Sequence, residues 1–301
     1  VNITFLVQNT FNGIMLGGLY ALIAVGYTMV YGILRLINFA HGDVMMMGVY
    51  FAFYFAVLTK SNVVIAFIVA VLGAALLGFL IDNVAYKPLR NAPRISALIT
   101  AIGVSFFLES FAVVVFGAIP KPFTSIFKSQ TLLMKVLNVG GARIPVLTFL
   151  VIGITAVIFV FLFLIVYKTK IGMAMRAISA DIPTTSLMGV NVNFVISFTF
   201  ALGSALAAAS GLMWSMRYPN VFPYMGFMPG MKAFIAAVFG GIGSIPGAIL
   251  GGLLLGLIEI FIPAYFQSMM MYRDALAFII LIVILLVKPS GLLGKKAVEK
   301  V

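Results

Sequence analysis

Cysteine is absent from this chain and histidine occurs once, at His41. These two shortages exclude a disulfide framework and a thiolate metal site, and they leave little to hold zinc or haem. No G-x-x-x-x-G-K-[ST] phosphate loop is present, since the nearest string, "GLLGKK" at 291–296, lacks both the spacing and the hydroxyl residue. No nucleophile–base pair stands out. Acids are scarce as well, with seven Asp and Glu against nineteen Lys and Arg, for a net charge of +12. Charged residues make up 9% of the chain, where an ordinary soluble domain has about 25%. No Pro- or Ser-rich linker and no low-complexity tract divides residues 1–301, which read as one domain.

What is present is apolar: 63% of the residues are hydrophobic. A water-soluble fold has no interior large enough for that surface, so the surrounding solvent is lipid. The runs lack the short alternating segments of a β-barrel. They predict helices over Phe11–Leu34, Val44–Leu58, Val63–Tyr86, Ile95–Phe116, Pro145–Tyr167, Asn193–Met216, Met231–Phe239, Pro246–Phe261 and Asp274–Val287. The first has neither the basic flank nor the small-residue cleavage site of a signal peptide, and reads as a true span. Val44–Leu58 and Met231–Phe239 fall short of the roughly 20 residues a crossing needs. Short segments flanked by Gly and Pro read as discontinuous helices. The expected class is an all-α polytopic membrane protein with about eight to nine transmembrane segments.

The basic residues sort the connections into two sides. Lys87, Arg90, Arg94, Lys168, Lys170, Arg176, Lys288, Lys295, Lys296 and Lys300 fall on one side. Lys60, Lys121, Lys128, Lys135, Arg143, Arg217 and Arg273 fall on the other. The excess puts the first set in the cytoplasm and the N-terminus outside. Such a net positive charge suits anionic lipid headgroups rather than nucleic acid. The loop Gly117–Ile144, with four basic residues and no acid, reads as an external cap, either simply solvated or a landing surface for an acidic partner.

Two stretches interrupt the apolar pattern. In "RLINFAHGD" (35–43), a broken helix accounts for every polar side chain. Arg35 ends one segment, Asn38 and His41 satisfy freed backbone groups, Gly42 breaks the helix and Asp43 caps the next. The second is "FGGIGSIPG" (239–247), where Gly240, Gly241, Gly243 and Ser244 precede Pro246 at the start of a new helix. Gly-interrupted segments in both halves of a transporter point to its solute path. The two breaks are therefore expected to face each other, with Met45, Met46 and Phe239 as an apolar lining and helix N-termini available to an anionic group. Lys232 lies in the same short helix as Phe239 and is counted with the path. Glu109 and Glu259, inside predicted spans, read as paired or interfacial carboxylates. The Met-rich run 45–47 reads as packing.

Residues 168–193, "KTKIGMAMRAISADIPTTSLMGVNVN", are far longer than a turn between two spans requires. A short helix is predicted over Ile171–Ile178. A second is capped by Asp181, has Pro183 in its first turn and stops at Gly189. So short a helix is not stable alone in water, so either the rest of the chain or a partner must hold it. This segment resembles, in divergent form, the cytoplasmic coupling motif of ABC importer permeases. "GLYALIAVGYTMVYGILRLINFAHGD" (18–43), "MRAISADIPTTSLMGVNV" (175–192) and "GFMPGMKAFIAAVFGGIGSIPGAILGG" (226–252) resemble the H-type permeases of high-affinity branched-chain amino-acid ABC importers, nearly throughout the chain. The resemblance implies a multi-pass subunit of the bacterial inner membrane. Its implied partners are two cytoplasmic ATPase subunits, a paralogous M-type permease and a periplasmic substrate-binding protein. It implies no cofactor and no metal. Arg176, Asp181, Thr184, Thr185, Leu187, Met188 and Gly189 are then the residues expected to touch the ATPase. Permeases for urea or short amides share this pattern, and a stand-alone carrier is the remaining alternative.

Overall fold

The computed structural model describes residues 3–60, 62–90, 92–123 and 135–294. Part of the loop expected over Gly117–Ile144, including Lys128, lies outside the described residues, as do Lys295, Lys296 and Lys300.

The described residues are almost entirely helical. In chain order they form α1 Ile3–Leu34, α2 His41–Thr59, α3 Val63–Ile81, α4 Arg94–Phe116, α5 Val146–Lys168, α6 Lys170–Ala180, α7 Ile182–Leu187, α8 Val192–Arg217, α9 Phe227–Gly240, α10 Ile245–Tyr265 and α11 Arg273–Val287. Two small antiparallel pairs accompany them: β1 Lys121–Pro122 with β4 Asn220–Val221, and β2 Val136–Val139 with β3 Ala142–Pro145. Eight helices are long and apolar enough to cross a membrane, and α9 is a shorter apolar helix; α2 is among the eight, because it starts at His41 and runs 19 residues, so the expected shortfall of Val44–Leu58 does not hold. The chain is thus an all-α, multi-pass membrane protein.

Local chemistry sets where several helices begin. Asn62, Thr169, Asp181, Asn191 and Ser244 each accept a hydrogen bond from the backbone N–H three residues on, at 3.1–3.2 Å. Each so satisfies one of the unpaired donors of a first turn. α3 runs into one π turn, Asp82–Tyr86; such turns often mark functional sites.

α1 is the axis of the bundle: Leu19 through Val25 have no exposed surface. Its neighbours approach through small residues. Gly26 lies against Gly203 of α8, and Gly252 of α10 against Ala21. Gly48 of α2 lies against Ala208 of α8. Lipid offers no hydrophobic drive between helices, so close backbone packing of this kind holds them together. The outer faces carry Leu72, Leu76, Phe107, Phe161 and Leu286, all exposed and suited to acyl chains.

The two ends of the bundle sort the connections as the charges predict. At one end Arg90 bonds Asn193, and Leu292 and Leu293 bond the carbonyls of Phe239 and Gly240. At the other end, β1 pairs with β4 and Lys121 bonds Tyr54 and the Phe116 carbonyl. These are called the foot end and the hairpin end below.

An internal symmetry organises the core. α1, a break, α2 and α3 form one unit; α8, a break, α9 and α10 form another. α3 packs on α8 as α10 packs on α1. α1 and α8 run antiparallel, with Gly26 beside Gly203 and the Ser210 hydroxyl donating to the Leu19 carbonyl. The units are therefore inverted, an arrangement shared by many transporters. Each break contains a residue in the left-handed region, Arg35 (φ 53°) in the first and Tyr224 (φ 78°) in the second.

Candidate functional site

The two broken helices point their N-termini at each other. The first break turns the chain back into the bundle, and the ring of His41 comes to lie against Gly26. α2 therefore begins about 12 Å inside the end of α1, at a rise of 1.5 Å per residue. α9 enters from the opposite side. A Cβ on Gly42 would lie 2.5 Å from the Gly226 carbonyl oxygen and 3.1 Å from the Gly230 Cα. Backbones this close exclude any side chain at these positions.

This geometry corrects the expected pairing of breaks. Gly42 meets residues 226–230, and the 239–247 stretch is the other end of the same half-helix. There Gly240 packs on Gly247 in the turn from α9 to α10, and Ser244 caps α10. Gly241 (φ +112°) is closed over by Gly291 and Gly294 of the C-terminal segment, and Gly243 comes near Gly32 of α1. A run of glycines reads as a break in sequence, whereas the true second break, "YPNVFPYM", carries prolines instead.

The residues of the first break do other work than expected. Arg35 does end α1, its N–H bonded to the Tyr31 carbonyl at 2.7 Å. Asn38 accepts a hydrogen bond from the Tyr86 hydroxyl at 2.9 Å, which ties the break to the π turn of α3. His41 is the first residue of α2; its ring lies 4.6 Å from that of Tyr27, and its Nε2 is buried without a partner. Asp43 does not cap α2, whose cap position is Ala40 with no side-chain bond. It sits in the first turn, where its negative charge complements the helix dipole. One carboxylate oxygen accepts from Ser105 of α4 and the other is buried and unpartnered.

Two cavities flank the meeting point. A small one, of about 30 Å³, is lined by Tyr27, Gly42, Asp43, Ser105 and Gly230. A larger one, of about 610 Å³, opens between α4, α8 and the first turn of α9, toward the hairpin end. Phe227 lines both. The larger wall includes Phe106, Trp214, Tyr218, Phe222 and Met228, with Glu109 as its one acid. Met45 and Met46, expected in a lining, are fully buried in the core instead, where an unbranched thioether fills irregular gaps.

The two intramembrane glutamates differ. Glu259 is paired as expected: Lys232 Nζ lies 2.5 Å from its Oε1 and 2.6 Å from Asp274 Oδ1, and Arg273 Nε also lies 2.5 Å from Glu259 Oε1. The four charges join α9, α10 and α11, and Lys232 lines neither cavity. Glu109, 7% exposed, has no hydrogen bond or ion pair among the described residues, so of the two expected roles, paired or interfacial, it does not fill the paired one.

Sequence reasoning missed a second buried charge. Asp82, fully buried, binds Arg90 through both oxygens at 2.9 and 2.8 Å and accepts from Ser197 at 2.5 Å. Arg90 also bonds Asn193. The pair clamps α3 to α8 beside the foot. Its signal was an acid at the end of an apolar run eight residues before an arginine, which the positive-inside count absorbed as a loop charge.

The foot, residues 168–193, forms as the sequence predicts. Asp181 caps α7, with Oδ1 accepting from Thr184 N–H at 3.2 Å and Oδ2 from the Thr184 hydroxyl at 2.9 Å. The Thr185 hydroxyl bonds the Asp181 carbonyl at 2.6 Å. Gly189 ends the helix at φ +81°. Arg176 lies over the ring of Tyr167. α6 packs on α1 and α8. Leu187 and Met188, at 88% and 80% exposure, project from the tip.

Among the described residues, no group of three or more His, Asp or Glu converges as a metal ligand set would. Residues 9–285 match the family model described as branched-chain amino acid transport system / permease component. The chain is 42% identical over 305 residues to the protein named high-affinity branched-chain amino acid transport system permease protein LivH of Salmonella typhimurium, covering 99% of this chain and 98% of the relative. It is 40% identical to the corresponding BraD protein of Pseudomonas aeruginosa, with 98% and 97% covered. A probable LivH of Methanocaldococcus jannaschii is 29% identical, with 93% and 90% covered. A match over this length, on an inverted-repeat bundle with two helix N-termini meeting inside it, places the chain in the family of branched-chain amino acid transport permeases.

Proposed function

We propose that this chain is the membrane-spanning permease subunit of a bacterial inner-membrane ABC importer for leucine, isoleucine and valine. Its partners in this reading are two cytoplasmic ATPase subunits, a paralogous M-type permease and a periplasmic substrate-binding protein. The permease contributes no hydrolysis of its own; ATP is spent by the ATPase subunits.

The observation that carries the reading is the foot. A six-residue helix with a full Asp181 cap presents two bare apolar side chains, Leu187 and Met188, to the surroundings. Exposed apolar anchors on a rigid tip are what a protein partner's cleft accepts. In this reading Arg176, Asp181, Thr184, Thr185 and Gly189 hold the tip in shape, and Leu187 and Met188 enter the ATPase. α6 rests on α1 and α8, the helices that lead into the two breaks, so a push on the foot bears on both.

The solute enters at the hairpin end through the larger cavity. It passes the constriction at Gly42 and Gly226, where Asn38, His41 and Asp43 line the first break. It leaves alongside α9 toward the turn Gly240, Gly241, Gly243 and Ser244 at the foot end. Lys232 serves this path by pinning α9 to α10 and α11.

The test is ATP-driven uptake of labelled leucine by the assembled transporter, with labelled urea as comparison. Leucine uptake is expected, and deletion of Asp181–Gly189 abolishes it while membrane insertion persists. Uptake that survives the deletion contradicts the docking role, and uptake of urea in place of leucine contradicts the substrate.

A further inference from the structure

The larger cavity combines features that a simple passage does not need. Its volume of about 610 Å³ lies within the roughly 300–1,000 Å³ of small-molecule sites. Its wall is apolar and aromatic, broken by one acid. That acid, Glu109, is more than nine-tenths buried and has no partner among the described residues. An isolated carboxylate inside a membrane bundle is costly and is retained where something of opposite charge meets it. One turn earlier on the same face of α4, Ser105 bonds one oxygen of Asp43, whereas Glu109 has no such bond among the described residues. The opposite wall is the first turn of α9, Phe227, Met228 and Pro229. A helix N-terminus of this length is an electropositive end suited to an anion.

We infer that this cavity receives the solute as a zwitterion, with Glu109 pairing the ammonium, the first turn of α9 facing the carboxylate, and the aromatic wall covering the aliphatic side chain. The inference rests on the amino-acid reading above and deepens it. It makes the permease itself selective for α-amino acids, in addition to any selection made before the solute arrives. Glu109 is a binding residue here, and the apolar wall sets a preference for branched side chains over polar ones.

The experiment uses the purified full-length chain in detergent and reads its melting temperature against three probes. L-leucine carries both charges, 3-methylbutylamine only the ammonium, and 4-methylpentanoate only the carboxylate. Leucine is expected to stabilise most and the amine measurably. In Glu109→Gln the concentration needed for half of the leucine effect rises at least about tenfold, the size of one charge-assisted hydrogen bond. The response to the amine is lost in that variant, and Glu109→Asp restores part of it. Independently of any variant, carbodiimide labelling of Glu109 in the native chain, read by mass spectrometry, is slowed by leucine and by the amine and not by 4-methylpentanoate. Equal protection by all three probes, or none by the amine, overturns the inference. Leucine uptake by the assembled transporter without amine protection of Glu109 removes this site and leaves the transport reading standing. Amine protection without leucine uptake leaves an amine site and removes the leucine reading.

Discussion

The two breaks occupy equivalent places in the inverted units and are built from different chemistry. The first carries Asn38, His41 and Asp43, and two of its buried polar atoms, His41 Nε2 and one Asp43 oxygen, have no partner. The second carries no charge between Tyr218 and Met231, and the nearest one, Lys232, is held by two carboxylates. α9 is thus anchored by a four-charge ion cluster, in which one Glu259 oxygen also lacks a hydrogen bond, whereas among the described residues α2 has no cation beside its acid. In a low-dielectric interior ion pairs across three helices tie them together, whereas an acid without a cation is costly and is kept where something else can use it. α9 is tied to α10 and α11 by ion pairs, and α2 has no such tie among the described residues.

The largest effect that would break this comparison comes from the ion cluster. Lys232→Met removes the cation shared by Glu259 and Asp274 and leaves Glu259 only Arg273, and breaking a buried pair costs up to about 3–5 kcal/mol. A steep loss of folded protein is expected, measured as the fraction that remains monodisperse on heating in detergent. A harmless Lys232→Met would mean that α9 is not anchored there. Next comes the contact itself. Gly226→Val drives a side chain into the Gly42 carbonyl, and overpacking of this kind costs about 1–3 kcal/mol. Uptake should fall more than the amount of inserted protein, because α2 and α9 are forced apart. The smallest effect is at the open side. Asp43→Asn keeps an acceptor for Ser105 and removes only the charge, so stability should change by less than about 1 kcal/mol. Uptake should fall all the same. A stability loss as large as that of Lys232→Met would erase the distinction between the two breaks.

Much of this could be read from the chain, and the limits have physical causes. Hydropathy located every long helix, because each must offer lipid an unbroken apolar surface; α1 starts earlier than expected only because polar Asn9 and Thr10 bond back to the carbonyls of Phe5 and Leu6 and so sit within a helix. The foot was legible because its stops are local: Asp181, Pro183 and Gly189 act within one turn of themselves. The pairing of breaks was not legible. Whether Gly42 meets Gly226 or Gly241 depends on how α1, α8 and α10 cross, and the crossings are set by glycines scattered over distant helices. Glu109 and Glu259 look alike in sequence, each an acid in an apolar run. Only the fold brings Lys232 and Arg273 to one of them and an open cavity to the other.

The N-termini of α2 and α9 meet inside the bundle, and in the transport proposed above their separation is the gate. A chain without cysteine allows it to be tested directly. The rings of Phe39 and Phe234, one from each side of the meeting point, are 6.1 Å apart. The double variant Phe39→Cys, Phe234→Cys is expected to be bridged by a short bifunctional cross-linker that contains a reducible disulfide, to lose ATP-driven uptake on cross-linking, and to regain it on reduction. Full uptake with the cross-link intact would contradict the account.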